Sequence, residues 1–318
     1  MNGNLKTQSE FYGDDQIYSG AGGSSTNMYV VEDVYDFLAV TGDSTYYELV
    51  SDIDFNDHDT YSRGVSGFLI GSMRGAGPYL FGNGHKIRNL LIKNISDGSC
   101  VFCVQRIQDV VFENMILMDV VYAYMFAQVY GSECTLDNVH IGCYVFNSDT
   151  YALFNEFSSS VPLKFSRCSF NLSGRSKSGF CAGGSFEGCH INTDLLIVDE
   201  SSYNSAITFR SGTSFVESYF TGRIRFLGGL SGSPETVYAI KGGTIEHSYF
   251  AVSIPSVPSG SSTLCGCAEM TVSEVSFIDK NLIPNMEEVA VDNLYYLTTE
   301  QATDPDYLIS IGFPVVPI

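Results

Sequence analysis

One short pattern, apolar-x-x-(Leu, Met, Val, Cys or Ser)-x-apolar, recurs eight times through the middle of the chain and restricts the fold more than any other feature. It reads Ile87…Leu90…Ile92, Phe112…Met115…Leu117, Leu136…Val139…Ile141 and Phe165…Cys168…Phe170. It continues as Phe186…Cys189…Ile191, Phe215…Ser218…Phe220, Ile245…Ser248…Phe250 and Val272…Val275…Phe277. Successive copies start 25, 24, 29, 21, 29, 30 and 27 residues apart. A period in the twenties, written in strand-forming residues, predicts a solenoid in which each coil buries its apolar face by stacking on its neighbours. The expected class is all-β, a single-stranded right-handed parallel β-helix of about 8–9 coils at the usual strand spacing.

Composition agrees. Charged residues make up only 16% of the chain, which suits strands and turns and suits neither a coiled coil nor a disordered chain. The formal charge of −20 is uneven. Residues 1–62 carry 12 acids and one base, Lys6, and residues 279–318 carry 7 acids and one base, Lys280. Such acidic ends repel phosphate backbones, so nucleic acid is not an expected partner; they act as solvated caps or dock on a basic surface. The cysteine count is odd, at nine, and Cys168 and Cys189 stand where Leu90, Met115 and Val139 stand in other coils. They read as small buried hydrophobes. Cys100 and Cys103 have a single CxxC spacing without the second half of a zinc site, so no metal or cofactor is expected. No apolar run approaches bilayer-spanning length, and Met1–Thr7 lead into a polar, Gly-rich stretch, which predicts synthesis in a cytoplasm without a signal peptide.

Four regions follow. Residues 1–27 read as an N-terminal anchoring arm, with Phe11, Tyr12 and Tyr18 as candidate partner-binding residues. Residues 28–80 form an N-terminal cap and first coil, with a short amphipathic helix at Val30–Val40 and a strand at Tyr46–Phe55. Residues 81–280 hold the repeats, and residues 281–318 form a C-terminal cap with a helix N-capped by Thr298 or Thr299. Each coil has a second, upstream strand anchored by Phe81, Phe102, Phe126, Phe154, Phe180 or Phe209, which are expected to align as an aromatic column. Asn89, Asn114 and Asn138 share the third pattern position, where the chain must bend; Asn tolerates left-handed φ, and stacked amides can bond from coil to coil.

Three segments, YYELVSDIDF (46–55), FGNGHKIRNLLI (81–92) and LTTEQATDPDYLISIGFPV (297–315), resemble the opening, first coils and closing segment of right-handed parallel β-helices of bacterial surface proteins and tailed-phage fibres and spikes, including GLUG-motif repeat proteins. The resemblance implies fold more than chemistry.

Some such solenoids cleave polysaccharides. Polygalacturonase-like enzymes carry an Asn-Thr-Asp followed by Asp-Asp, Gly-His-Gly and Arg-Ile-Lys. This chain has Asn192-Thr193-Asp194 and a partial echo in Arg223-Ile224-Arg225, but neither motif between. Hydrolysis needs two carboxyls at a set separation, and Asp194, Asp199 and Glu200 are the only candidates, in or beside a variable loop. His140 and His190 share an outward column with Tyr219 and Tyr249 but are spaced too far apart for one metal ion. The expected function is therefore a non-enzymatic structural protein of a tailed bacteriophage virion, a fibre or decoration protein. Residues 1–27 would anchor to capsid or tail proteins, the chain would form a dimer or trimer, and the β-helix would adhere to host or glycan. The alternatives are a glycan-cleaving tailspike and a bacterial surface adhesin.

Overall fold

The computed structural model describes residues 23–40, 44–57, 70–71, 77–93, 100–120, 124–127, 133–148, 163–177, 179–198, 205–210, 212–227, 236–256, 260–261 and 263–314. Phe11, Tyr12, Tyr18, Phe154, Asp199 and Glu200 lie outside them. Of the described residues 57% are in strands and 9% in helices, so the fold is all-β, and its strands pair in parallel from coil to coil as a β-solenoid. Two compact units divide the chain: Met1–Tyr144 with Asn155–Lys164, and Val145–Phe154 with Phe165–Ile318.

In the first unit Tyr29, Tyr47, Leu80 and Ile107 stand in one parallel register on one wall, and Ile53, Ile87 and Phe112 on the next. A third wall aligns Ile70, Phe102 and Phe126. Alternate residues point inward because the side-chain period of a strand is two, so Leu49, Leu80, Ile87 and Ile107 are buried. The expected helix at Val30–Val40 is shorter. Tyr29–Val31 is a strand, and α1 spans only Val34–Leu38, N-capped by Asp33, which accepts from the amides of Tyr35 and Asp36 at 2.8 and 2.9 Å. Phe37 of α1 is fully buried and meets Phe55 edge-on, with ring centroids 6.0 Å apart. The strand expected at Tyr46–Phe55 breaks into Tyr46–Leu49 and Ile53–Asp54, because the chain turns from one wall to the next between them.

Asn89 and Asn114 take left-handed φ of 61° and 57° at one corner, and Asn114 donates to Asn89, which donates to Asp54 at 2.7 Å. Asn138 is not the third rung. The amide of Thr135 bonds to the carbonyl of Gln105, which sets Leu136 level with Ile107 and places Asn138 over Asp109, to which it donates at 2.7 Å. The long strands Arg106–Met118 and Cys134–Ser148 each bend across more than one wall, so equal spacing in sequence does not mean equal position on the coil.

In the second unit Phe170, Ile191, Phe220, Phe250, Ile278 and Tyr296 lie in unbroken register. The β-solenoid makes about five turns, so the coil count differs slightly from the eight or nine expected. The aromatic column differs from the expected one. Phe165 and Phe186 stack at 4.5 Å, and Phe215 continues the column 6.0 Å from Phe186. Phe180 and Phe209 are both buried, but Phe180 pairs with Ile207 and Phe209 with Ala182, so they stand two residues out of register. Phe81, in the first unit, is half-buried on the outer side against Tyr46, while its neighbour Leu80 points inward. Phe102 is fully buried in register with Phe126.

The corner of the second unit explains the Cys and Ser in the pattern. Arg167, Gly188, Glu217 and His247 take left-handed φ there, turning the next residue's amide along the stack. The amides of Cys189, Ser218 and Ser248 then bond to the hydroxyls of Ser218, Ser248 and Ser276 at 2.9, 3.0 and 3.1 Å. Each hydroxyl in turn donates to the carbonyl two residues before it. Each of these three buried corner amides thus has an acceptor, which a Leu or Val could not provide. The last coil has one extra residue at this point, so Ser276 and Ile278 face inward rather than Val275 and Phe277.

The chain closes with the strand Leu294–Leu297, α2 (Thr299–Ala302) and α3 (Pro305–Ser310). Thr298 is the N-cap of α2, in a reciprocal capping box with Gln301. Leu308 and Phe313 are buried against Phe277 and Leu297, so the cap covers the outward side of the last coil. Cys134, Cys143, Cys168, Cys181, Cys189, Cys265 and Cys267 are buried free thiols. Among the described residues no helix is long and apolar enough to cross a membrane.

Candidate functional site

In the second unit four consecutive strands, Ser169–Ser176, His190–Ile197, Tyr219–Phe226 and Tyr249–Ser253, present their alternate residues outward in aligned columns. One column runs Ser169, His190, Tyr219, Tyr249 and Phe277. The next runs Asn171, Asn192, Thr221 and Ala251, and a third runs Ser173, Asp194, Arg223 and Ser253. Strand geometry spaces such groups by about 4.8 Å along the stack and about 6.8 Å along a strand.

The polar columns are wired together. His190 Nε2 lies 2.8 Å from Thr221 Oγ1, Thr221 donates to Asn192 Oδ1 at 3.2 Å, and Asn192 Nδ2 donates to Asn171 Oδ1 at 3.3 Å. With the Thr221 proton committed to Asn192, the imidazole supplies the donor at Nε2 and leaves Nδ1 as an acceptor. Burial lowers the His190 pKa, which favours that neutral ring. Thr193 between these residues is buried, and Gly222 opposite it has φ of +104°; a Cβ on Gly222 would sit 2.0 Å from the Thr193 carbonyl oxygen. Only glycine lets the two strands keep this register.

Of the catalytic candidates, Asp194 is described. It lies within the His190–Ile197 strand rather than in a loop, and its carboxylate pairs with Arg225 Nη2 at 2.9 Å in a largely exposed position. Arg223, in register beside it, is exposed and makes no ion pair among the described residues. His140 belongs to the other compact unit. Among the described residues no group of three or more His, Cys, Asp or Glu side chains is placed to hold a metal ion.

At the C-terminal end of this face, α2 and α3 wall off a cleft of about 570 Å³. Tyr219, Tyr249 and Phe277 form one side, with Ala251 and Asp279 beside them and Ala302, Leu308 and Phe313 opposite. Tyr219 and Tyr249 rings are 4.7 Å apart, and Tyr249 and Phe277 lie face to face at 5.2 Å, 4° from parallel. Burial raises both tyrosine pKa values, with the Glu217 charge adding at Tyr219 and the neighbouring Tyr219 at Tyr249, so both phenols stay protonated at neutral pH. Asp279 is 3% exposed; its carboxylate receives the Thr299 hydroxyl and, at 3.1 Å, the amide of Asn281. The histidine–tyrosine column was legible from spacing. Asn171, Thr221, Asp279 and Thr299 were not, since Asp279 and Thr299 meet through the cap and the Asn–Thr contacts depend on exact register.

Comparison with models of known protein families, with curated proteins and with solved structures gave no match.

Proposed function

We propose that this chain is a non-enzymatic structural protein of a tailed-bacteriophage virion, a fibre or decoration protein that holds host-surface glycan on the outward polar side chains around His190, Asn192 and Thr221 of its second unit. The observation that carries the reading is the hydrogen-bonded set His190, Thr221, Asn192 and Asn171, flanked by Arg223 and the Asp194–Arg225 pair. Donors and acceptors held rigidly on strands at sugar-like spacing suit recognition of hydroxyls through direct and water-mediated bonds. An ion-paired, exposed carboxylate suits a recognition surface better than a general acid, whose pKa is raised by burial. The parallel β-solenoid is consistent with the resemblance to phage fibres and spikes. In this reading residues 1–27 attach to capsid or tail proteins, and the chain assembles as a dimer or trimer.

The test is to purify particles from a producing culture, identify their proteins by mass spectrometry and locate this chain with gold-labelled antibody. Stoichiometric presence on heads or tails supports the reading. Absence from particles, with the chain recovered in the bacterial envelope, overturns it in favour of a bacterial adhesin.

A further inference from the structure

We propose that the cleft beneath the C-terminal cap docks a basic peptide segment of a partner protein, with an apolar side chain seated between the solenoid wall and α3 and a Lys or Arg amine or guanidinium reaching the carboxylates around it. This goes beyond the glycan reading and uses different side chains, so either can fail alone.

The volume, about 570 Å³, suits a few side chains, and its walls are mainly apolar: Tyr249, Ala251, Phe277, Leu308 and Phe313. Its polar floor is Asp279, which has hydroxyl and amide partners but no cation within ion-pair distance among the described residues. A buried carboxylate without a counter-charge strongly favours a cationic ligand. The surroundings carry the same sign. Residues 279–314 hold seven acids against Lys280 alone, and Lys280 is already bound to Glu288 at 2.9 Å. Glu300, Asp304 and Asp306 are exposed on or beside the two helices that form the outer wall.

The aromatic rings do not supply the charge recognition. Tyr249 and Phe277 turn their faces to each other, and Phe313 meets Phe277 at 67°. Rings so arranged offer the cleft their weakly positive edges, so they seat an apolar group and the carboxylates take the cation. Phosphate-bearing ligands would be repelled by this rim, and a neutral sugar would leave the Asp279 charge uncompensated.

The experiment uses the full chain and two fluorescein-labelled peptides, Lys-Leu-Phe-Arg-Lys and Glu-Leu-Phe-Glu-Glu, followed by fluorescence anisotropy. The basic peptide is expected to bind saturably, with affinity falling as salt rises, and the acidic peptide is not. Ala251→Trp, which fills the cleft, should weaken binding about tenfold or more, as loss of a central anchor pocket does. Ser253→Trp, two residues along the same strand and outside the cleft, should bind as the parent chain does. Should Ala251→Trp fail to fold, the double variant Glu300→Gln/Asp306→Asn decides, with an expected several-fold loss and a shallower salt dependence. Equal binding of both peptides, no saturable binding, unchanged binding in the variants, or displacement of the peptide by maltoheptaose would overturn the proposal.

Discussion

Thr299 Oγ1 lies 2.9 and 3.1 Å from the two carboxylate oxygens of Asp279, so one hydroxyl on the C-terminal cap is shared across a buried acid on the last coil. This contact ties α2 to the solenoid wall across 20 residues of sequence and fixes the width of the cleft between them. Thr299→Val keeps the shape and removes the donor, leaving Asp279 with only the Asn281 amide. A buried acceptor deprived of its partner costs about 1–3 kcal/mol. Urea unfolding should show a loss in that range with an unchanged slope; a loss within error of zero would mean the contact holds nothing.

The serine corner gives a second test. Ser248 both accepts from the Ser218 amide and donates to the carbonyls of Glu246 and Phe215. Ser248→Ala leaves that amide unpaired and should cost about 1–3 kcal/mol. Ser248→Cys should cost less, because Cys189 at the same corner already bonds through its thiol to the carbonyls of Glu187 and Phe165. Equal losses for the two variants would show that size alone matters there.

Alkaline pH should destabilise the fold. Burial pushes the Cys143 thiol from 9.0 to about 12. The folded chain therefore keeps this proton in a range where the unfolded chain has released it. Its contribution is complete below pH 9 and falls by about 1.4 kcal/mol per pH unit from there to about pH 12. Tyr79, Tyr219 and Tyr249, also raised by burial, add loss of the same sign above pH 10. Denaturant midpoints measured between pH 8 and 11 should decline monotonically. At pH 8, alkylation followed by peptide mapping should find Cys143 protected in the native chain and modified once it unfolds.

Gly222→Ala should be severe. Its φ of +104° disfavours any L side chain, and the added carbon would collide with the Thr193 carbonyl rather than with a movable side chain. Backbone strain together with a forced strand shift predicts a loss above about 3 kcal/mol, the range reached only by such named defects. A melting temperature within a few degrees of the parent would contradict the register given for these strands.

The repeat was legible because stacking demands one inward residue per coil in register, and that demand writes itself as Phe186, Phe215, Ile245 and Val272. Finer placement was not. A period of two leaves parity ambiguous wherever the chain bends, which is why Leu136 and Asn138 align with Ile107 and Asp109 and not with Phe112 and Asn114. One extra residue before Ser276 turned Phe277 outward, where the cap buries it, so its hydrophobicity read as core for the wrong reason. Tyr219 and Tyr249 were visible as an outward column, but the cleft also needs α2 and α3, whose packing no local spacing encodes.

The most direct measurement incubates the full chain with purified surface polysaccharide from the producing host, following both retention of the chain and release of sugar ends. The account predicts retention without new reducing ends or unsaturated products, weakened by Asn192→Ala or Arg223→Glu and little changed by Glu300→Gln/Asp306→Asn. Release of oligosaccharides that Asp194→Ala abolishes, or no retention at any polysaccharide concentration, would contradict it.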